Sequence, residues 1–119
     1  MTDYLPLFRP ADTVTFNVTA DVTGGHPVQL GSTDRSVAPA EAGSTTYIGV
    51  AGHDAKTGDK VTVEVGKVIH ELTASGAIPR GSQVESSGAG RVRVATTGTV
   101  IGLALSTAAD GATVQVLQA

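Results

Sequence analysis

The sequence predicts an all-β protein: one compact small-barrel domain of roughly nine or ten short strands, with an internal two-fold repeat. Three observations carry this. Val and Thr number sixteen each, and both favour strands because a branched Cβ packs well on a pleated surface. Fifteen Gly and five Pro punctuate the 119 residues too often for long helices. Much of the chain also repeats. Ile48-Gly49-Val50-Ala51 falls on Ile101-Gly102-Leu103-Ala104 without a gap, followed by Gly58 on Gly111, Val61 on Val114 and Val63 on Val116.

The elements follow in order. "MTDYLPLFRP" holds Tyr4, Leu5, Leu7 and Phe8 between prolines that forbid a helix and interrupt a strand ladder, so residues 1–10 are expected to form an extended apolar arm. Such an arm either folds back on its own core or docks on another chain. Residues 11–119 are expected to form a single β domain. "DTVTFNVTADV" alternates Val14, Phe16 and Val18 with polar residues, the period of a half-buried strand. "HPVQL", "RSVAPA", "TYIGVA" and "KVTVEV" follow, separated by Gly- and Asp-bearing turns. Gly66-Lys67 reads as a tight turn that pairs "KVTVEV" with "VIHEL" as a hairpin. "TASGAIPRGSQV" is a crossover anchored at Ile78, and "RVRVA", "TVIGLAL" and "ATVQVLQ" close the chain. This spacing suits a barrel or sandwich.

The repeat extends upstream, since Gly25, Val28 and Arg35 align on Gly81, Val84 and Arg91 at an offset of 56. The later matches sit at an offset of 53, and the three-residue difference is absorbed near "PAEAGS". The matching halves span approximately 22–65 and 78–117. Two repeats are too few for a solenoid and fit a pseudo-symmetric β fold instead.

Net charge is −3 with both signs scattered, so nucleic acid is not an expected partner. Cysteine is absent, which excludes disulfides and thiol chemistry and leaves oligomerisation as a source of extra stability. No apolar run approaches the roughly 20 residues that span a bilayer, and no membrane partner is expected. No basic segment followed by an apolar run opens the chain, so no secretion signal is expected, and assembly is placed in a cytoplasm.

His53 and Asp54 are the most tempting chemical pair. Neighbours on a strand point to opposite faces, however, and no nucleophile motif accompanies them. His26 and His70 lie in separate segments, without the spacing of a metal site. In the repeat, Ser106 and Thr107 replace His53 and Asp54, so the scaffold does not require that pair. The loop reads as a bend whose candidate role is contact with a neighbouring protein. The glycine pairs in "VTGGHP" and "SSGAGR" lack the Gly-Lys-[Ser/Thr] ending and the following helix of a phosphate loop. No catalytic residue, metal or cofactor is assigned, and an enzyme is not expected. Lys67 in "VEVGKVIHE" allows a rival reading, a small β-barrel binding or carrier module of a bacterial enzyme complex with a modified Lys at a hairpin tip.

The ordered segments "LFRPADTVTFNVTADVTGGHPVQL", "YIGVAGHDAKTGDKVTVEV", "LTASGAIPRGSQV", "GRVRVATTG" and "VIGLALSTAADGATVQVL" resemble the small capsid decoration, or cement, proteins of tailed bacteriophages. The resemblance covers nearly the whole chain. It implies a β-clip-like or small-barrel fold and homotrimers on the outer surface of the virion, at threefold or quasi-threefold positions between capsomers. The partner would be the major capsid protein, and the role would be to brace the expanded shell. An N-terminal arm often makes the contact in such proteins. Here Tyr4, Leu5, Leu7 and Phe8 would be its apolar anchors, with Arg9 a charged rim contact.

Overall fold

The computed structural model describes residues 12–119. All regular structure among them is β. Ten strands run β1 (Thr13–Val18), β2 (Pro27–Leu30), β3 (Ser36–Pro39), β4 (Tyr47–Ala51), β5 (Lys60–Glu64), β6 (Ile69–Ala74), β7 (Gln83–Gly88), β8 (Arg91–Val94), β9 (Gly102–Ala104) and β10 (Thr113–Gln118). They close into two barrels, one per half of the chain. Barrel one has the order β1-β3-β2-β4-β5, and barrel two has β6-β8-β7-β9-β10 around its circumference.

The two barrels share one wiring diagram. β1 runs parallel to β3 and β6 parallel to β8, while every other neighbouring pair is antiparallel. The register repeats as well. Thr13, Glu64, Val50 and Pro27 pair in a row across barrel one, and Ile69, Leu117, Leu103 and Gln83 pair in the same row across barrel two. An isolated bridge from Val22 to Ala55 recurs as Ile78 to Ala108. The topological unit therefore adds β1 and β6 to the segments matched by sequence.

Each barrel is filled by its own short apolar set. Val22, Val28, Val37, Val61 and Val63 line barrel one, and Ile78, Val84, Val92, Val114 and Val116 take the matched places in barrel two. Five strands enclose less space than the eight that a row of larger side chains needs, so Val and Ala suffice as filling. The repeated Ile-Gly has a steric cause. A methyl on Gly49 would run into the carbonyl oxygen of Glu64, and one on Gly102 into that of Leu117.

The expected hairpin at Gly66-Lys67 does not form. β5 closes barrel one against β1 and β4, whereas β6 opens barrel two between β8 and β10. The turn is the link between barrels. Apolar alternation on both sides of a Gly suits a hairpin and a barrel crossing equally, so local pattern does not separate them.

Candidate functional site

Tyr4, Leu5, Leu7, Phe8 and Arg9 lie outside the described residues. The chain is described from Asp12, whose carbonyl accepts hydrogen bonds from Val65 N–H at 2.9 Å and Gly66 N–H at 3.0 Å. Asp12 thus sits beside the link between the barrels.

His53 and Asp54 are exposed and act on the backbone. Nε2 of His53 accepts the Thr62 N–H at 3.3 Å, and its Nδ1 lies 2.9 Å from the Asp54 carbonyl. An acceptor at Nε2 and a carbonyl opposite Nδ1 together fix the neutral tautomer with its proton on Nδ1. Asp54 Oδ1 accepts the Gly24 N–H at 2.8 Å. The second copy repeats both contacts with hydroxyls: Ser106 Oγ accepts from Gln115 N–H at 3.0 Å, and Thr107 Oγ1 from Arg80 N–H at 3.2 Å. The pair and its replacement do the same structural work, tying a loop to the adjoining segments.

A further loop clasp changes sides between the copies. Asp21 Oδ1 accepts from Thr57 N–H at 2.8 Å in barrel one, while Asp110 Oδ1 accepts from Gly76 N–H at 2.8 Å in barrel two. The Thr57 backbone N–H, then its hydroxyl, hold the Asp21 carboxyl below its ordinary range. Among the described residues no group of three or more His, Cys, Asp or Glu side chains is placed to hold a metal ion. His70 instead bonds Gln118, and His26 packs against Gly90 across the two barrels. Lys67 is exposed on the link between barrels, away from the hairpin tip that a carrier lysine requires.

The joint between the barrels holds the polar groups that sequence reading missed. Gln118 Oε1 accepts from Tyr47 Oη at 2.7 Å and lies 3.0 Å from His70 Nε2. An amide oxygen only accepts, so His70 Nε2 carries the proton. Gln118 Nε2 donates to the carbonyls of Glu64 at 3.2 Å and Gly66 at 2.6 Å. Burial pushes the Tyr47 phenol well above its ordinary value. Around this centre Val50 of barrel one packs into the core cluster of barrel two. A strap from barrel one adds the Gly43 N–H to Ser86 carbonyl bond at 2.8 Å and an Ala42–Ser87 bridge.

Glu85, fully buried, organises the loop beside this strap. Its Oε1 accepts the N–H groups of Thr96, Thr97 and Gly98 at 2.7, 3.1 and 3.0 Å, and its Oε2 meets Arg93 Nη2 at 2.8 Å. The Thr96 and Gly98 N–H groups, more than Arg93, lower its pKa to about 2. The one sequence signal was a carboxylate inside an otherwise neutral strand.

Barrel two also carries an open apolar face. A shallow, mostly apolar groove of about 210 Å³ runs past Val100, Leu103, Leu117 and Ala119, with Lys67 and Gln83 also in its lining. Leu103 is 41% exposed and Ile69, in the same cross-strand row, 60%. This geometry suits contact with another protein surface better than chemistry.

The comparisons agree with such a role. No curated protein sequence matches the chain. The fold is similar to a solved structure, the head fiber gp8.5 N base of bacteriophage phi29, with a TM-score of 0.69 at 20% identity, over 90% of this chain and 92% of that one. A family model described as phage cement protein matches residues 8–118. A family match across nearly all of the described residues leads to one conclusion: the chain belongs to the phage cement protein family.

Proposed function

We propose that this protein decorates the outer surface of an expanded phage head, binding the major capsid protein at threefold or quasi-threefold positions and bracing the shell. The observation that carries the reading is the family match over residues 8–118. Membership in that family points to a structural, non-enzymatic protein. The arm, with Tyr4, Leu5, Leu7 and Phe8 as anchors and Arg9 at the rim, makes the capsid contact, and the His53–Asp54 loop is a second surface offered to neighbours. The protein acts as a homotrimer assembled in the host cytoplasm, so that several modest contacts sum through multivalency.

Support for the arm comes from its composition and from Asp12, which is anchored by two backbone hydrogen bonds next to the barrel joint. An apolar arm led from a fixed point loses less entropy on docking than a free peptide. The test is co-sedimentation with expanded heads. Full-length protein is expected to pellet with heads, and protein lacking residues 1–10 is expected to stay folded and remain in the supernatant. Equal decoration by the truncated protein refutes the arm as the capsid contact.

A further inference from the structure

The repeat makes each barrel surface twice, and the two copies of one surface meet different fates. Barrel one is joined to barrel two through Tyr47, Val50 and Glu64. Their counterparts on barrel two, by offset and by register, are Val100, Leu103 and Leu117. Val50 is 2% exposed, whereas Leu103 is 41% exposed. The receiving patch behaves in the opposite way. Ile101 and Gln118 of barrel two are buried, but their counterparts Ile48 and Val65 on barrel one are only partly covered. Leu30, the counterpart of Ser86 under the strap, is 48% exposed.

The internal joint therefore connects two different patches, and each molecule keeps one unused copy of both. A heterologous joint of this kind is open-ended until another molecule continues or closes it. We propose that a second copy of this chain seats its Leu30–Ile48–Val65 patch on the Val100–Leu103–Leu117 face, repeating between molecules the joint that already holds the barrels together. The proposal rests on the self-association included in the proposed function. In a closed trimer the six barrels would form one ring.

Exposed apolar side chains on both free patches, Leu30 on one and Leu103 on the other, favour this occupant. Inside the molecule the Gln118 amide meets the Tyr47 hydroxyl and the carbonyls of Glu64 and Gly66. At the matched positions Val65 would meet the Val100 side chain, while the carbonyls of Leu117 and Ala119, which match those of Glu64 and Gly66, would gain no such donor. The joint between molecules is the weaker one. By strand register Arg91 takes the place of Ser36, and the stretch from Arg91 to Ile101 is two residues shorter than that from Ser36 to Ile48, so the equivalent strap is shorter.

Sedimentation of the full chain tests this. Wild type is expected to run as a multiple of the 11.9 kDa chain. Leu103→Glu and Leu30→Glu, each at an exposed position, are expected to run as single chains with unchanged circular dichroism. Val94→Glu, at a 40% exposed position outside both patches, should keep the wild-type mass. Mixing the two dispersed variants restores one good joint per pair, giving about 24 kDa, twice the 11.9 kDa chain. A wild type that stays at one chain at every concentration reached overturns the proposal. So does a variant that keeps the wild-type mass, or a mixture that forms no pair. Dispersal by deleting residues 2–10 also refutes it, because the arm would then be the occupant. Binding to heads, read separately on the same proteins, reports on capsid decoration and not on this joint.

Discussion

Barrels one and two have the same connectivity, a shared cross-strand row and matched Val-rich fillings, yet they handle their surfaces differently. Barrel one gives up Val50 to the core of its neighbour; barrel two leaves the matched Leu103 in solvent. Barrel one holds the half-covered Val65 where barrel two has Gln118, with its amide bonded on all sides. Duplication thus supplies two similar bodies, and substitutions at the surface decide which faces fuse. Interior positions stayed apolar because each barrel must fill itself, while face positions were free to diverge.

The sharpest way to break this comparison is to place a charge at matched sites. Val50→Asp buries an unpaired carboxylate and should cost on the order of 4 kcal/mol in urea unfolding. Leu103→Asp should leave the unfolding free energy of the single chain within about 0.5 kcal/mol of wild type, as exposed substitutions do. Equal losses would mean that the two faces are equally covered. Gln118→Ala comes next. It strands the Tyr47 hydroxyl and two carbonyls, and a loss of about 2–3 kcal/mol is expected. Val65→Ala, which strands no polar group, should cost about 1 kcal/mol or less.

Glu85 has its own counterpart. Gln29 sits at the matched position in barrel one, and its Oε1 accepts a single loop N–H, that of Glu41, at 3.1 Å. The Glu85 carboxyl is held at about 2 in the folded protein against an ordinary 4.5. Its folded value is lowered, so its contribution is present above pH 4.5 and is lost as the pH falls towards 2. Glu85→Gln should therefore flatten the decline in unfolding midpoint across that window, at the cost of a lower plateau near neutrality. An unchanged slope would assign acid sensitivity to other carboxylates, Asp21 first. The smallest effect is expected from transplanting the second loop into the first. His53→Ser with Asp54→Thr should change stability by no more than about 0.5 kcal/mol, because both versions accept matched N–H groups. A larger loss would restore a special role to His53 and Asp54.

Much of the fold was legible in the residues. Alternation in "VTFNV" and "KVTVE" gave β1 and β5, Gly58 and Gly111 marked equivalent turns with φ of 92° and 79°, and the Ile-Gly repeat located β4 and the start of β9. The false hairpin at Gly66-Lys67 came from the same signals, since a turn states that the chain bends and not which partner the next strand finds. The joint was illegible for a related reason. Nothing about Val50 or Gln118 is unusual within a window of ten residues. Gln118 and Glu64 are brought together from 54 positions apart.

The sequence alone determined the all-β class and the duplication, in which Ser106 and Thr107 stand at the places of His53 and Asp54. Side-chain alternation, glycine placement and self-comparison are local properties, carried by the chain whatever its partners. Only the tertiary structure decided that the strands close as two barrels, that Gln118 and Val50 weld them, and that the Leu103 face stays open. Closure and docking depend on which surfaces meet, and that is settled by long-range packing between segments that no local pattern connects.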